Sequence, residues 1–385
     1  MKKSLLILAT VATLTACSND SVRENIAAEQ VEIDFSTYTQ KAVGTKADAT
    51  TVGLEKYYTE FTVYGWKTVK NEETGANEDQ MVFNAQSVNY VENSDLWTYS
   101  PKKFWDKVAS KYNFYAAVPV GNDGFSFNET NRIFEIEEFV AEGISLAVEK
   151  DQKPDASISF VEVETDLMIA DAIERGMTTP SAKARVDFKF NHILSRLNVG
   201  VKCDGLEDGQ TMTLNSLKIG GIVSKGSFNE NDRWALSTEG SDVVTLVNAV
   251  EDATTNTVAI TAENKFVYQG LLIPQEAEYS EVALDGTGKE ETPYLYINYT
   301  IDNEKFYAYY NLAAIFGVTE NNSLAFQEGY QNNLYITIGA SAIEFDADAY
   351  VWQDDNSSNL ENEINELTKE KETLIKSIER REKLL

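Results

Sequence analysis

Apolar and polar residues alternate with a period of two through most of this chain, which restricts its body to half-buried β-strands. Val31-Glu32-Ile33-Asp34-Phe35 places its apolar side chains on one face, as does Phe61-Thr62-Val63-Tyr64-Gly65-Trp66. The pattern returns in Ile158-Ser159-Phe160-Val161-Glu162-Val163, Val186-Asp187-Phe188-Lys189-Phe190 and Tyr294-Leu295-Tyr296-Ile297, with β-branched and aromatic enrichment. Antiparallel sheets with one wet face produce such alternation, whereas parallel strands buried on both faces read as continuous apolar runs. Asp208-Gly209, Gly220-Gly221, Asp285-Gly286-Thr287-Gly288 and the polar stretch 71–80 read as turns between strands. No long helical periodicity appears before residue 358. The expected body is all-β and sandwich-like.

Glycine and proline interrupt two strand-rich halves across residues 174–183. With about 150 residues per domain, the 385 residues are expected to form one β-domain over 47–180 and a second over 181–355.

Both ends differ from the body. Met1-Lys2-Lys3 is a short positive segment, followed by the apolar and small-residue run SLLILATVATLTA. That run is shorter than the roughly 20 residues a membrane-spanning helix needs, so residues 1–16 are expected to be a signal peptide. Leu14-Thr15-Ala16-Cys17 resembles the bacterial lipobox, in which the cysteine is acylated and becomes the new N-terminus. Lipid attached through Cys17 would then be the anchor. Cys203 is the one other cysteine and would have no intrachain partner, so stability must come from core burial.

At the other end, residues 356–385 are expected to be a helical tail. Leu360, Ile364, Leu367, Lys371, Leu374, Ile378, Arg381 and Leu385 fall at alternating four- and three-residue steps. Leu360, Ile364, Leu367, Leu374 and Ile378 form an apolar stripe for association, either in a short coiled coil or against the body, and Lys371 and Arg381 interrupt it.

The residues offer little chemistry. Acidic side chains outnumber basic ones 62 to 33, giving a formal net charge of −29, and such a chain is repelled by phosphate backbones; nucleic acid is not an expected partner. A single histidine rules out multi-histidine metal sites and argues against a catalytic triad. No glycine-rich phosphate loop or nucleophile elbow occurs, and no motif asks for a cofactor. Asp346 and Asp348 share one strand face opposite Phe345 and Ala347 and read as a solvated face rather than a calcium site. The lone His192, in Phe190-Asn191-His192-Ile193, reads as a structural hydrogen-bonding residue. Tyr307-Ala308-Tyr309-Tyr310 suits stacking on sugars and equally suits an aromatic core strand. The chain is not expected to be an enzyme.

Several segments, taken in order, carry a family resemblance. After the lipobox come Ile33-Asp34-Phe35-Ser36, Gly44-Thr45-Lys46-Ala47, Phe61-Thr62-Val63-Tyr64-Gly65, Trp97-Thr98-Tyr99 and Phe104-Trp105. Tyr112-Asn113-Phe114-Tyr115-Ala116-Ala117-Val118-Pro119, Asp166-Leu167-Met168-Ile169-Ala170 and Phe190-Asn191-His192-Ile193-Leu194-Ser195-Arg196-Leu197 follow. Leu272-Ile273-Pro274-Gln275 and Tyr335-Ile336-Thr337-Ile338-Gly339 complete the series. Together they resemble the Bacteroides-type fimbrillins, the subunits of type V pili.

The resemblance implies two transthyretin-like β-sandwich domains and export through the periplasm as a lipoprotein to the outer membrane and the surface fimbrium. It implies a trypsin-like maturation protease that cuts after a basic residue, removing the lipidated leader and first strand, here within 17–46. Lys46 matches that cut site, with Lys41 and Arg23 as alternatives. It further implies other fimbrillin subunits as partners, joined by strand exchange. Residues 342–352 are the donor-strand candidate, with Ile343, Phe345, Ala347, Ala349 and Val351 on its apolar side. Such a shaft subunit ends near its donor strand, so the extra tail leaves an accessory or tip role open. The rival expectation is a surface lipoprotein of the same fold that binds host glycans or proteins and does not polymerise.

Overall fold

The computed structural model describes most of residues 31–351; residues 1–30, 40–53, 142–165, 177–184, 249–257 and 352–385 lie outside the description, with further gaps of one to four residues. The described residues are nearly all β, as alternation requires, with one 3-10 turn at Leu54–Lys56 and one helical turn, α1, at Leu312–Ile315. Strands are numbered β1–β22 in chain order.

The largest sheet has seven strands in the order β1 (Asp34–Thr39), β9 (Arg185–His192), β8 (Met168–Gly176), β5 (Lys111–Val118), β2 (Glu60–Lys70), β3 (Asn77–Val91) and β4 (Leu96–Thr98). One face buries an aromatic cluster that includes Phe35, Phe61, Phe83, Phe114, Phe188 and Phe190. Gly65 makes room for it, since a Cβ there would lie 2.9 Å from the Phe83 ring and 3.1 Å from the Phe114 ring. The stretch 71–80 is a turn only as far as Ala76. Asn71 Oδ1 accepts from the backbone N–H groups of Glu73 (2.9 Å) and Thr74 (3.1 Å) and caps the turn, after which Asn77 already pairs with Lys70.

Two further sheets enclose the second core. One runs β16 (Lys265–Leu272), β10 (Ser195–Asp204), β21 (Tyr330–Gly339), β22 (Ile343–Val351). The other runs β14 (Asp242–Asn248), β11 (Met212–Ile222), β18 (Tyr294–Ile301), β19 (Glu304–Asn311), with β15 (Val258–Ile260) also on β11. Leu197, Val199 and Val201 from the first sheet meet Leu217, Ile219 and Leu295 from the second in one buried cluster. Gly220-Gly221 is not a turn, because it sits inside β11. Gly221, at φ +74°, forms a bulge where a Cβ would strike the Thr292 carbonyl oxygen at 2.7 Å. Asp302-Asn303, both at positive φ, form the two-residue hairpin turn between β18 and β19.

A small sheet joins the two halves of the sequence: β6 (Ser126–Asn128) and β7 (Ile133–Val140) pair onward to β12 (Lys225–Asn229) and β13 (Arg233–Leu236). Phe134, Ile136 and Phe228 from it bury against Ala117 and Ile169 of the seven-stranded sheet and against Ile193, Leu194 and Leu271. A two-stranded ladder, β17 (Gln275–Glu278) with β20 (Ser323–Phe326), completes the strands.

Most pairs are antiparallel, in line with the alternation, but β1–β9 and β10–β21 are parallel. Each links strands more than 100 positions apart in the sequence numbering, so no hairpin constrains their direction.

Candidate functional site

Strand β1 ends the seven-stranded sheet, and its structural hold is unusual for an edge. Residues 34–39 pair in parallel with β9, matching Phe35 to Val186 and Thr37 to Phe188. Just before them the chain switches partner. The Ile33 N–H donates to the Lys103 carbonyl (3.0 Å), and the Trp105 N–H donates to the Val31 carbonyl (2.9 Å). The Tyr99 hydroxyl donates to the Ile33 carbonyl at 2.7 Å, and burial pushes that phenol well above its ordinary pKa, so it stays a donor. Glu32 forms an ion pair with Lys102, and the Ser36 hydroxyl donates to Asp187.

The apolar face of this segment completes the core. Ile33 is fully buried and Phe35 is 3% exposed. The Phe35 ring stacks on Phe188 at 5.6 Å and meets Phe61, Phe83, Tyr99 and Phe114 at centroid distances of 5.4–6.2 Å. Offset and edge-to-face contacts of this kind add to the area each ring buries. Without β1, the β9 backbone, the 103–105 backbone and a ring-lined groove would all lose their partner. Leu54 is fully buried, and residues 40–53 are the covalent link between β1 and everything after it. Lys41 and Lys46 belong to that link, and they, like Cys17 and Arg23, lie outside the described residues.

The donor-strand candidate is β22, which ends its sheet and, among the described residues, pairs antiparallel with β21 alone. Ile343, Phe345 and Ala347 pack against the second core while remaining partly exposed. Phe345 meets Tyr310 edge-on at 4.7 Å. Ala349 is exposed and Val351 closes the ladder opposite Tyr330. Asp346 and Asp348 point to the other face, where Asp348 accepts a hydrogen bond from Asn333 at 2.8 Å. The tail residues Leu360, Ile364, Leu367, Leu374 and Ile378 lie outside the described residues.

His192 ends β9, 5% exposed, with Nδ1 2.5 Å from Asp166 Oδ2. Asp166 leads into β8, whose Met168 pairs with His192, so the contact ties two neighbouring strands of the sheet that receives β1. Replacing His192 with glutamine is expected to cost about 1–3 kcal/mol, the range for disturbing a buried charge-assisted hydrogen bond. A thermal melt should fall by several degrees; an unchanged midpoint would show the contact to be dispensable.

Sequence reasoning missed the partners of β1. The 103–105 segment carries no alternation, and the only signal for it was its aromatic pair Phe104-Trp105. It also missed the Asp302-Asn303 hairpin, which the residue types alone could have given.

Residues 45–352 match the family model described as fimbrillin-like. Solved structures matched by the chain include a fimbrial protein from Bacteroides vulgatus, 15% identical, covering 84% of this chain and 99% of that one at a TM-score of 0.46. A candidate cell adhesion protein from Bacteroides uniformis is also 15% identical, with 84% and 98% covered and a TM-score of 0.44. A third, from Bacteroides ovatus, is 13% identical, with 85% and 100% covered at 0.42. No curated protein matches the chain.

Proposed function

Because this chain belongs to the fimbrillin-like family, we propose that it is a structural subunit of a surface fimbria that supports adhesion, polymerised by donor-strand exchange. It is exported as a lipoprotein on Cys17 to the outer membrane and freed by a trypsin-like protease cutting after Lys46. Release then removes β1 with the leader. The body divides into two transthyretin-like β-sandwich domains, and the membership of β9 in the first sheet supports a divide after His192.

The observation that carries this reading is the placement of β1. It ends the seven-stranded sheet, held by β9 on one side and by residues 103–105 just upstream, and it places Phe35 at the centre of an aromatic core. An opened groove with unpaired backbone on its flanks is what β-augmentation repairs.

The sequence of β22 supports it as the replacement. Ile343-Glu344-Phe345 repeats the pattern of Ile33-Asp34-Phe35, so a donor inserted in that register returns an isoleucine and a phenylalanine to the two buried places. Ala347 and Ala349 then follow where the departing strand has Thr37 and Thr39, both small enough for the same positions. The tail stripe would serve to align subunits before exchange.

The test is the N-terminus of the chain recovered from the cell surface. A start at Ala47 is the expected result. Chains that all begin at lipidated Cys17 would instead support the retained, non-polymerising surface lipoprotein.

A further inference from the structure

The outward face of β11, β18 and β19 has a composition unlike the rest of the molecule. Its outward positions carry no Asp or Glu and no aliphatic side chain, in a chain where acids outnumber bases 62 to 33. They carry tyrosine, asparagine, serine, threonine and lysine instead. Tyr294, Tyr296, Tyr307 and Tyr309 alternate with Leu295, Ile297 and Ala308, which face the core. The four rings therefore share one surface, on which Tyr307 is 63% exposed.

The rings form a connected platform. Tyr296 and Tyr309 lie 4.7 Å apart, Tyr294 and Tyr309 5.6 Å, and Tyr296 and Tyr307 6.5 Å. Gly220 lets Tyr294 lie down across β11, since a Cβ there would meet the ring at 2.2 Å. Beside the rings runs a line of amides: Asn215 donates to Asn298 Oδ1 (2.9 Å) and Thr300 Oγ1 (2.8 Å), and Asn298 donates to the Tyr296 hydroxyl (3.1 Å).

Three lysines lie on or beside this face. Lys218 pairs opposite Tyr296, Lys305 opposite Thr300, and Lys289 Nζ sits 5.4 Å from the centre of the Tyr309 ring. Asp285, in the loop flanking Tyr309, accepts from the Thr287 N–H at 2.9 Å.

We propose that this face binds an acidic polysaccharide, a chain of pyranose rings bearing carboxylate or sulfate groups. The C–H faces of a pyranose carry partial positive charge and fit the negative faces of tyrosine rings. Amide and phenol groups exchange hydrogen bonds with sugar hydroxyls. The lysines supply the local positive potential without which a polyanion would be repelled by a body of this net charge. A protein partner fits less well, because lysine is depleted at the centres of protein interfaces and three lysines lie on or beside these rings. The assignment is independent of strand exchange, which uses β1 and β22.

The test measures binding of the intact chain, at low ionic strength, to hyaluronan, chondroitin sulfate, neutral dextran, polyaspartate and oligothymidylate. Binding to hyaluronan or chondroitin sulfate is expected; both carry carboxylates and only the second carries sulfate, so binding to chondroitin sulfate alone would make sulfate the required group. Replacing Tyr307 and Tyr309 together with alanine should weaken it by about tenfold or more, as loss of central aromatic anchors does. Lys289→Gln with Lys305→Gln should weaken it and flatten its salt dependence. This second pair decides the matter if the tyrosine variant fails to fold. Failure of both acidic polysaccharides to bind would overturn the proposal, as would binding untouched by the substitutions. Equal affinity for dextran, polyaspartate or oligothymidylate would overturn it too, by removing the acidity or the sugar from the recognition.

Discussion

Lys46→Ala is expected to keep the chain monomeric where the wild type, treated with trypsin, forms ladders that survive mild detergent. Strand-inserted contacts dissociate slowly because the inserted strand must leave as a unit. The link 40–53 connects β1 to the body, so an uncut link holds β1 in its own groove and leaves no vacancy for a donor. Phe345→Ser should abolish the ladders even when cleavage proceeds. In its own sheet Phe345 is partly exposed and meets one ring, that of Tyr310. In the groove it would take the place of Phe35, which meets five. The substitution therefore costs the assembly more than it costs the monomer. A chain ended at 358 should reach the same ladders more slowly. Unchanged ladders from Lys46→Ala would move the cut to Lys41, and unchanged ladders from Phe345→Ser would remove β22 from the donor role.

Phe35→Ala should destabilise the uncleaved chain by about 3–5 kcal/mol, the range for deleting a buried phenylalanine. The ring is 3% exposed at the centre of the cluster, and neighbours held on the four strands β2, β3, β5 and β9 cannot collapse into the space. Urea unfolding of the precursor would measure it. After cleavage the same substitution should have no effect on polymer stability, because residue 35 has departed with the leader. A loss carried over into the cleaved polymer would mean that β1 stays in place.

How much was legible beforehand varied by element. The strands at Phe61–Trp66, Val186–Phe190 and Tyr294–Ile297 followed from alternation, because each has one face in a core and one toward polar surroundings. The antiparallel expectation held for hairpin neighbours such as β18 and β19. It missed the parallel pairing of β1 with β9 and of β10 with β21, since alternation reports which face is buried and says nothing of strand direction. The double glycine at 220–221 read as a turn because glycine marks turns and bulges alike; the approach of the Thr292 carbonyl made it a bulge.

The amino-acid sequence by itself determined the all-β class, the faces of the strands and the family. Those follow from local periodicity and from the order of short motifs, which need no knowledge of what lies across the sheet. Only the tertiary structure decided that β1 pairs with β9 on one side and with residues 103–105 just upstream. It likewise decided that β12 and β13 cross back to join β6 and β7, and that four tyrosines from two strands share one acid-free face. These are contacts between residues far apart along the chain. Their partners are chosen by the packing of whole sheets, where loop closure costs little more for a long connection than for a short one, so nearby sequence carries no record of the choice.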